Sequence, residues 1–298
     1  MLSVNHISKS YGSLKAVDDL SFEVKDGEIF GLLGENGAGK TTTFRMIMGL
    51  LSMDEGTILL DGEKIDYNQT DKIGFVTEER SLLTKLTVKE QIIYYGTLKG
   101  MDEKSILEKL DYYLEKFEIT EYKNKKIKEL SKGNQQKIQF ISAVIHEPKL
   151  LILDEPFTGL DPINVKLLKE AIYELKEKGC SIIFSSHQME YIEEFCEKLI
   201  ILVKGKVVLD GYLKDIKKSY GIKKIRIKCN DIELSKLEKI KGVLKIEEKN
   251  DYIDVDIENE EAISKVFNFI KKYNVLRFEA MEKSLSDIFI EKVGEKSE

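Results

Sequence analysis

The chain has 298 residues, 42% hydrophobic and 34% charged, a composition typical of a globular protein. Its net charge of −6 argues against a basic surface that holds nucleic acid through phosphates. No apolar run approaches the roughly 18 residues that cross a membrane, and the first residues lack a secretory-signal pattern. Three cysteines without a Cys-x-x-Cys pair indicate reduced thiols, as in a cytoplasmic protein. Together with the net charge, this leads us to expect a cytoplasmic protein without nucleic-acid partners.

The first part of the chain is rich in predicted strands. Short segments of β-branched and apolar residues alternate with Gly, Asp and Asn turns, at Leu2–Ile7, Leu20–Val24, Ile29–Leu33, Thr57–Leu60 and Ile73–Val76. Ile29–Leu33 is almost wholly apolar, which predicts a strand covered on both faces.

The hydrophobic period then changes to that of helices. Thr87 and Glu90 fit a capping box, and apolar residues from Ile106 to Phe117 recur at helical spacing, so we predict a helical insert over about 82–146. Strands return at Leu150–Leu153, Ile182–Phe184, Leu199–Val203 and Val207–Leu209, separated by helices such as Val165–Lys176. This alternation predicts an α/β core with a largely parallel sheet.

After residue 216 the predicted elements follow the order β-α-β-β-α-β, which is the ferredoxin-like arrangement. The strand candidates begin near Ile225, Val243, Ile253 and Val275, and the helices lie around Leu234–Ile240 and Ile263–Ile270. We therefore predict a domain over 1–216 and a small C-terminal α+β accessory domain over 217–298.

Residues 34–41 read Gly-Glu-Asn-Gly-Ala-Gly-Lys-Thr, a P-loop pattern between a predicted strand and a predicted helix. Glycines let backbone N–H groups turn toward phosphate oxygens, and the helix N-terminus adds a favourable partial charge. Lys40 is predicted to reach the terminal phosphates, and the Thr41 hydroxyl to bind Mg²⁺. The predicted nucleotide-binding residues are Gly34, Asn36, Gly37, Ala38, Gly39, Lys40, Thr41 and Thr42.

A second motif is the apolar strand Leu150–Leu153 followed by the carboxylates Asp154 and Glu155. Ligands of α/β sheets bind at the carboxyl ends of the strands. Asp154 is predicted to hold Mg²⁺, and Glu155 to act as the general base for an attacking water. A surface turn is the alternative interpretation, which the accompanying P-loop disfavours.

The segment Leu130–Gln136, Leu-Ser-Lys-Gly-Asn-Gln-Gln, resembles the signature of the ATP-binding-cassette (ABC) family, commonly Leu-Ser-Gly-Gly-Gln. Other landmarks of the family occur in the expected order over about residues 1–216. Tyr11 resembles the aromatic residue that stacks on adenine, and residues 158–161 resemble the loop that crosses between subunits. His187 resembles the histidine that contacts the γ-phosphate. Tyr11 as a surface aromatic and His187 as a structural histidine remain alternatives. The resemblance implies a P-loop NTPase cassette with a helical insert.

Two motifs depart from the family pattern. Lys132 and Asn134 replace the usual Gly and Gln of the signature, whereas Ser131 and Gly133, the predicted γ-phosphate contacts, are retained. Glu78 stands where the family's Mg²⁺-sensing glutamine is expected. These variants, with the closing motif at 284–291, resemble the branch that serves drug, peptide or ion exporters.

The resemblance further implies that each ATP lies between the P-loop of one subunit and Ser131 and Gly133 of another, so the partners are a second ATP-binding subunit, with a homodimer favoured, and an integral membrane transporter subunit. The chain would then work with ATP and Mg²⁺ on the inner face of the membrane, with export favoured and import left open. A soluble ABC ATPase of translation or repair is the alternative; the single cassette and the lack of sustained heptads argue against it. A purely regulatory nucleotide-binding module would be expected to lack Glu155 or Lys40.

Overall fold

The computed structural model describes residues 1–294. The chain divides into two compact units, Met1–Asp210 and a second one that begins at Gly211. Among the helices of residues 1–294, none is long and apolar enough to cross a membrane.

The strands of the first unit form two sheets. They are β1 (Leu2–Tyr11), β2 (Leu14–Val24), β3 (Ile29–Gly34), β4 (Glu55–Leu60), β5 (Glu63–Lys64), β6 (Ile73–Val76), β7 (Leu150–Asp154), β8 (Ser181–Ser185), β9 (Lys198–Val203) and β10 (Lys206–Tyr212), the last of which runs into the second unit. The helices are α1 (Lys40–Ile47), α2 (Val88–Leu98), α3 (Glu103–Lys116), α4 (Lys132–Val144), α5 (Pro162–Glu177) and α6 (Met189–Phe195), and short 3₁₀ helices span Tyr67–Lys72, Thr120–Tyr122 and Ile127–Glu129.

The larger sheet has the order β10-β9-β3-β8-β7-β6. Strand β3 is parallel to β8 and β9, and β7 is parallel to β6 and β8. Every residue of β7 and β8 is buried, because their apolar side chains are covered on both faces of the sheet. The predicted α/β core with a largely parallel sheet is therefore confirmed.

The other four strands form a separate antiparallel sheet of order β2-β1-β4-β5, which the sequence did not reveal. Apolar side chains of both sheets share one core, in which the rings of Phe22 and Phe30 stack with centroids 4.8 Å apart. The antiparallel sheet thus covers one face of the parallel sheet and brings β2 beside the loop that follows β3.

Side-chain caps start the helices of the insert. The predicted capping box is present: Thr87 accepts a hydrogen bond from the Glu90 backbone, and the Glu90 side chain accepts one from the Thr87 backbone. The Asp102 side chain caps α3 by accepting a hydrogen bond from the Ser105 backbone. Ser131 caps α4, where Ser131 Oγ accepts from Asn134 N at 3.2 Å. These caps satisfy backbone N–H groups that a helix leaves free.

The second unit contains α7 (Leu213–Tyr220), β11 (Ile222–Asn230), α8 (Leu234–Leu237), β12 (Val243–Glu248), β13 (Ile253–Ile257), α9 (Glu261–Ile270), β14 (Asn274–Glu282) and α10 (Leu285–Gly294). Its antiparallel sheet has the order β12-β13-β11-β14, so the predicted β-α-β-β-α-β arrangement is present. The predicted boundary after residue 216 falls inside α7. This amphipathic helix buries Leu213 and Ile216 and contacts β14 of its own unit.

Candidate functional site

The loop between β3 and α1 can be built only with glycine at two positions. A Cβ on Gly34 would lie 2.6 Å from the Leu202 carbonyl oxygen, and one on Gly39 would lie 2.5 Å from that of Ala16. Both glycines also have positive φ angles, 155° and 109°. The loop is therefore pressed against β2 and β9, and it leads into the first turn of α1, where N–H groups and the helix dipole favour an anion.

Lys40 lies over this loop. Its Nζ donates to the Gly34 carbonyl at 2.6 Å and to the Glu35 carbonyl at 3.3 Å. Thr41 is exposed in the first turn of α1, and Thr42 is half-buried. Thr43 is buried instead, and its Oγ1 donates to the Gly39 carbonyl at 2.9 Å. The Lys40 ammonium thus lies against the loop and Thr41 is exposed beside it, and their contacts with phosphate and Mg²⁺ stay predictions.

Asp154 ends β7 and is the register partner of Ser185 at the end of β8. The Ser185 hydroxyl donates to Asp154 Oδ1 at 2.5 Å. Burial raises the pKa of Asp154; the Ser185 hydrogen bond and the Lys40 charge lower it, and the charges of Glu155 and Glu78 raise it further. The charges of Lys40, Glu78 and Glu155 thus all act on one buried carboxylate.

Glu155 follows directly and turns the chain away from the sheet with a φ of 51°. Its backbone N–H donates to the Ser185 carbonyl at 3.1 Å, and its side chain is only 10% exposed. Glu155 Oε2 accepts from Ser186 Oγ at 3.2 Å and lies 2.9 Å from His187 Nδ1. Since a carboxylate only accepts, Nδ1 carries the proton of this contact, and Nε2 of the largely exposed imidazole is left for a ligand.

The signature residues lie at the N-terminus of α4. Gly133 packs against α5, because a Cβ there would lie 3.1 Å from Nδ2 of Asn164. Among the hydrogen bonds of residues 1–294, none joins Ser131 or Gly133 to the loop at 34–42. The γ-phosphate contacts predicted for these two residues stay a prediction.

Helix α4 is connected to both sides of the carboxylate site. Buried Gln136 donates to the Pro156 carbonyl at 3.1 Å, one residue beyond Glu155. Buried Gln139 donates to the carbonyl and the hydroxyl of Thr77, both at 2.9 Å, one residue before Glu78. The sequence analysis assigned no role to these glutamines. Their spacing of three residues, which puts both amides on one side of a helix, was the pattern that could have predicted a shared role.

Three further residues complete the account of the site. The sequence analysis assigned no role to Ser185 and Ser186, although parallel strands bring them beside Asp154 and Glu155. Tyr11 pairs with Leu14 at the turn of the β1–β2 hairpin and is half exposed. The same hairpin touches the phosphate loop through Ala16, so adenine stacking by Tyr11 remains a prediction.

A cavity of about 360 Å³ lies beside this site, between the helical insert and the core of the first unit. We call it the insert groove; its lining includes Leu50, Phe75, Thr77, Lys99, Gln139 and His146. Apolar side chains are exposed in the elements around it, with Leu50 and Leu98 each 60% exposed. The groove therefore combines an apolar rim with buried polar side chains.

Comparison with known proteins gives concordant matches. Residues 17–158 match the model of the ABC transporter family, and residues 211–293 match that of the C-terminal domain of DrrA1-3-like ATP-binding proteins. The ABC transporter ATP-binding protein YhaQ of Bacillus subtilis is 52% identical over 295 residues, which cover 99% of each chain. The linearmycin resistance ATP-binding protein LnrL of the same organism is 36% identical, over 72% of this chain and 70% of its own. A solved ATP-binding subunit of an ABC transporter superposes with a TM-score of 0.70 at 32% identity, over 74% of this chain and 93% of that one.

Proposed function

Since this chain belongs to the ATP-binding proteins of ABC transporters, we propose that it hydrolyses Mg-ATP at the site around Asp154 and Glu155 and thereby drives a separate membrane subunit. The observation that carries the proposal is that Ser185, Ser186 and His187 contact these two carboxylates at the ends of neighbouring parallel strands, where the charges of Lys40 and Glu78 also act on Asp154. A structural turn would not need two hydroxyls and an imidazole directed at adjacent carboxylates.

The phosphates bind at the loop at 34–42. Backbone N–H groups and the first turn of α1 face the anionic oxygens, and Lys40 exchanges the Gly34 and Glu35 carbonyls for the β- and γ-phosphates. Those carbonyls already hold the ammonium in place, so little reorganisation of the lysine is needed. Tyr11, on the adjoining hairpin, stacks on the base.

The oxygen ligands of this site suit Mg²⁺. The Asp154 carboxylate and the Thr41 hydroxyl are hard oxygen donors, with Glu78 facing the ion or one of its waters, and Mg²⁺ bound to nucleotides uses one or two carboxylates beside the phosphates. Burial and two neighbouring carboxylates raise the pKa of Asp154, so a nearby cation would favour its ionised form. When bound, the ion neutralises charge on the phosphate oxygens.

Glu155 accepts a proton from the water that attacks the γ-phosphate. Hydrogen bonds from Ser186 and His187 fix its carboxylate, and they converge on the same oxygen, so the other oxygen is available to the water. Nε2 of His187 then contacts the γ-phosphate. The products are ADP and phosphate, with no covalent intermediate on the protein.

A second subunit completes the site. Ser131 and Gly133 stand at the N-terminus of α4, a position suited to a phosphate, yet they make no hydrogen bond with the loop at 34–42 among the described residues. We propose that they contact the ATP held by another copy. ATP then joins two subunits, and its hydrolysis separates them.

The insert groove receives the membrane subunit. Gln139 in the groove wall donates a hydrogen bond to Thr77, the residue before Glu78, so an occupant of the groove would be coupled to the catalytic site. Leucines exposed around the groove would be covered by such a partner. We infer that the chain works on the inner face of the membrane. LnrL is named for linearmycin resistance, and this favours export as the direction of transport.

Photocrosslinking in intact cells tests this assignment. A benzoylphenylalanine in place of Leu50 should crosslink to a cytoplasmic loop of a protein with several membrane spans, identified by mass spectrometry of the joined peptides. Leu276, 59% exposed in the second unit against 60% for Leu50, is the matched control and should not give that crosslink. Equal crosslinking at both positions, or none at Leu50, would contradict docking at the groove.

A further inference from the structure

Three hydrogen bonds hold the backbone that carries Glu155. The Glu155 N–H donates to the Ser185 carbonyl at 3.1 Å, and the Thr158 N–H donates to the Glu155 carbonyl at 3.2 Å. The third bond comes from α4, where the Gln136 amide donates to the Pro156 carbonyl at 3.1 Å. The first two bonds belong to the sheet edge and the turn, so Gln136 is the contact that the helical insert supplies.

Pro156 depends on this contact. A proline nitrogen carries no hydrogen, so the carbonyl is the single hydrogen-bonding group of this residue. Among the hydrogen bonds of residues 1–294, the Pro156 carbonyl accepts from Gln136 alone. Loss of the Gln136 amide would therefore leave that carbonyl without a donor.

The conformation of Glu155 explains why the turn needs support from outside. Its φ of 51° lies in the left-handed region, which residues other than glycine rarely adopt. The residue before a proline is restricted further by the proline ring. Such a conformation persists where the surrounding structure fixes it. If Pro156 were released, the turn could relax and move the Glu155 carboxylate away from Ser186 and His187.

Gln136 is well placed to fix the turn. The residue is only 3% exposed, so water does not compete for the Pro156 carbonyl. A carbonyl oxygen only accepts, so the amide nitrogen of Gln136 faces it. The contact joins α4 to the residue next to Glu155.

We propose that Gln136 is a positioning residue for ATP hydrolysis: it holds the Pro156 carbonyl and thereby fixes the Glu155 carboxylate where it accepts the proton of the attacking water. This inference rests on the proposed function, because it takes Glu155 to be the general base. Helix α4, which carries Ser131 and Gly133 at its N-terminus, then also orients the catalytic carboxylate of its own subunit.

The competing explanation is that Gln136 only satisfies a buried carbonyl and stabilises the fold. The two explanations differ once Glu155 itself has been changed. A residue that acts through the Glu155 carboxylate loses its effect on turnover in the Glu155→Gln background. A residue that acts on the fold alone keeps its effect, so the two losses multiply.

The experiment is a double-mutant cycle of Gln136→Met and Glu155→Gln, with kcat for phosphate release and KM for Mg-ATP as readouts. Methionine has a similar length and cannot donate a hydrogen bond. We expect Gln136→Met to lower kcat about tenfold, since a small displacement of a catalytic group can cost up to about 10²-fold, with KM within about threefold of wild type. In the Glu155→Gln background the same change should alter kcat less than about twofold. Gln136→Asn, whose amide is one methylene further from Pro156, should show the same pattern.

Gln91→Met is the matched control. Gln91 is also buried in the helical insert, and its side chain bonds the Ser142 hydroxyl and the Leu83 backbone at 2.9 and 2.8 Å. Any effect of this variant on kcat should multiply with that of Glu155→Gln. Thermal unfolding of every variant measures the structural contribution separately.

An unchanged kcat in Gln136→Met would overturn the inference, and so would a loss that multiplies fully with that of Glu155→Gln. A raised KM with unchanged kcat would also overturn it, by assigning Gln136 to ATP binding. The proposed function fails separately, if Glu155→Gln alone hydrolyses ATP at the wild-type rate.

Discussion

Replacement of Glu155 by glutamine is the most direct test of the catalytic assignment. One oxygen of Glu155 accepts from both Ser186 and His187, and the oxygen of a glutamine amide can accept both hydrogen bonds in the same place. The amide cannot take the proton of the attacking water. ATP binding should therefore survive while turnover falls about 10²–10⁴-fold, the range for a lost general base, or about 3–5 kcal/mol in the barrier.

The assay is steady-state release of phosphate with Mg-ATP, alongside size-exclusion chromatography in the same buffer. The slowed step is the one that separates subunits, so Glu155→Gln should elute as an ATP-bound dimer and wild type as a monomer or a transient dimer. Adding Ser131→Arg should abolish that dimer, because a bulky cation replaces the hydroxyl proposed to face the γ-phosphate. Glu190→Gln makes the same chemical change at an exposed position in α6 and should keep turnover within about twofold.

Turnover of Glu155→Gln within threefold of wild type would refute the role of Glu155 as general base. The variant could instead bind ATP tightly, turn over slowly and remain a monomer at micromolar concentration. That result would agree with Glu155 as the general base. It would instead contradict the homodimer and favour a pair formed with a different ATP-binding subunit.

Four further outcomes are expected. Lys40→Ala should abolish measurable ATP hydrolysis, since the β- and γ-phosphates lose their cationic contact; unchanged turnover of purified protein would contradict this. Glu78→Gln removes one charge near Asp154 at nearly constant volume, so a titration of hydrolysis against Mg²⁺ should shift, and superimposable curves would show that Glu78 does not face the metal. A fragment of residues 1–210 should fold and bind ATP with wild-type affinity in a calorimetric titration; a folded fragment with weakened binding would assign the second unit a part in the nucleotide site. Burial lowers the pKa of His146 from 6.5 in the unfolded chain to about 4 in the folded chain. Its contribution to the free energy of unfolding, at most about 3 kcal/mol, is therefore present above pH 6.5 and lost as the pH falls to 4. His146→Asn should flatten this part of the plot of stability against pH, and an unchanged slope would refute the burial argument.

The sequence predicted the parts of the site that follow local rules. A nearly uniform apolar run at Ile29–Leu33 predicts a buried strand, and the glycines after it predict a loop that turns into a helix. Glu155 and His187 both follow apolar strands, and parallel strands end at the same edge of a sheet, so their contact could be expected.

Other features depend on contacts that no local pattern encodes. The alternation in β1, β2 and β4 predicts strands but not which strands pair, so their separate antiparallel sheet was missed. The two residues of β5, Glu63 and Lys64, have no apolar signal. Among the described residues, Nδ1 of His146 and Oε1 of Gln139 are buried without a hydrogen-bond partner. This arises from tertiary packing, which buries an imidazole and an amide beside one cavity.

Helix α4 makes contacts near its start and near its middle, so a rotation of the whole helix about one contact would displace the other. Ser131 at its start and Gln139 are eight residues apart, or about 12 Å at 1.5 Å per residue. A tilt of about 10° around Gln139 would carry Ser131 through about 2 Å, more than the width of the distance range in which a hydrogen bond persists. A movement at the groove too small to disturb Thr77 would therefore suffice to make or break a contact at the far end of the helix.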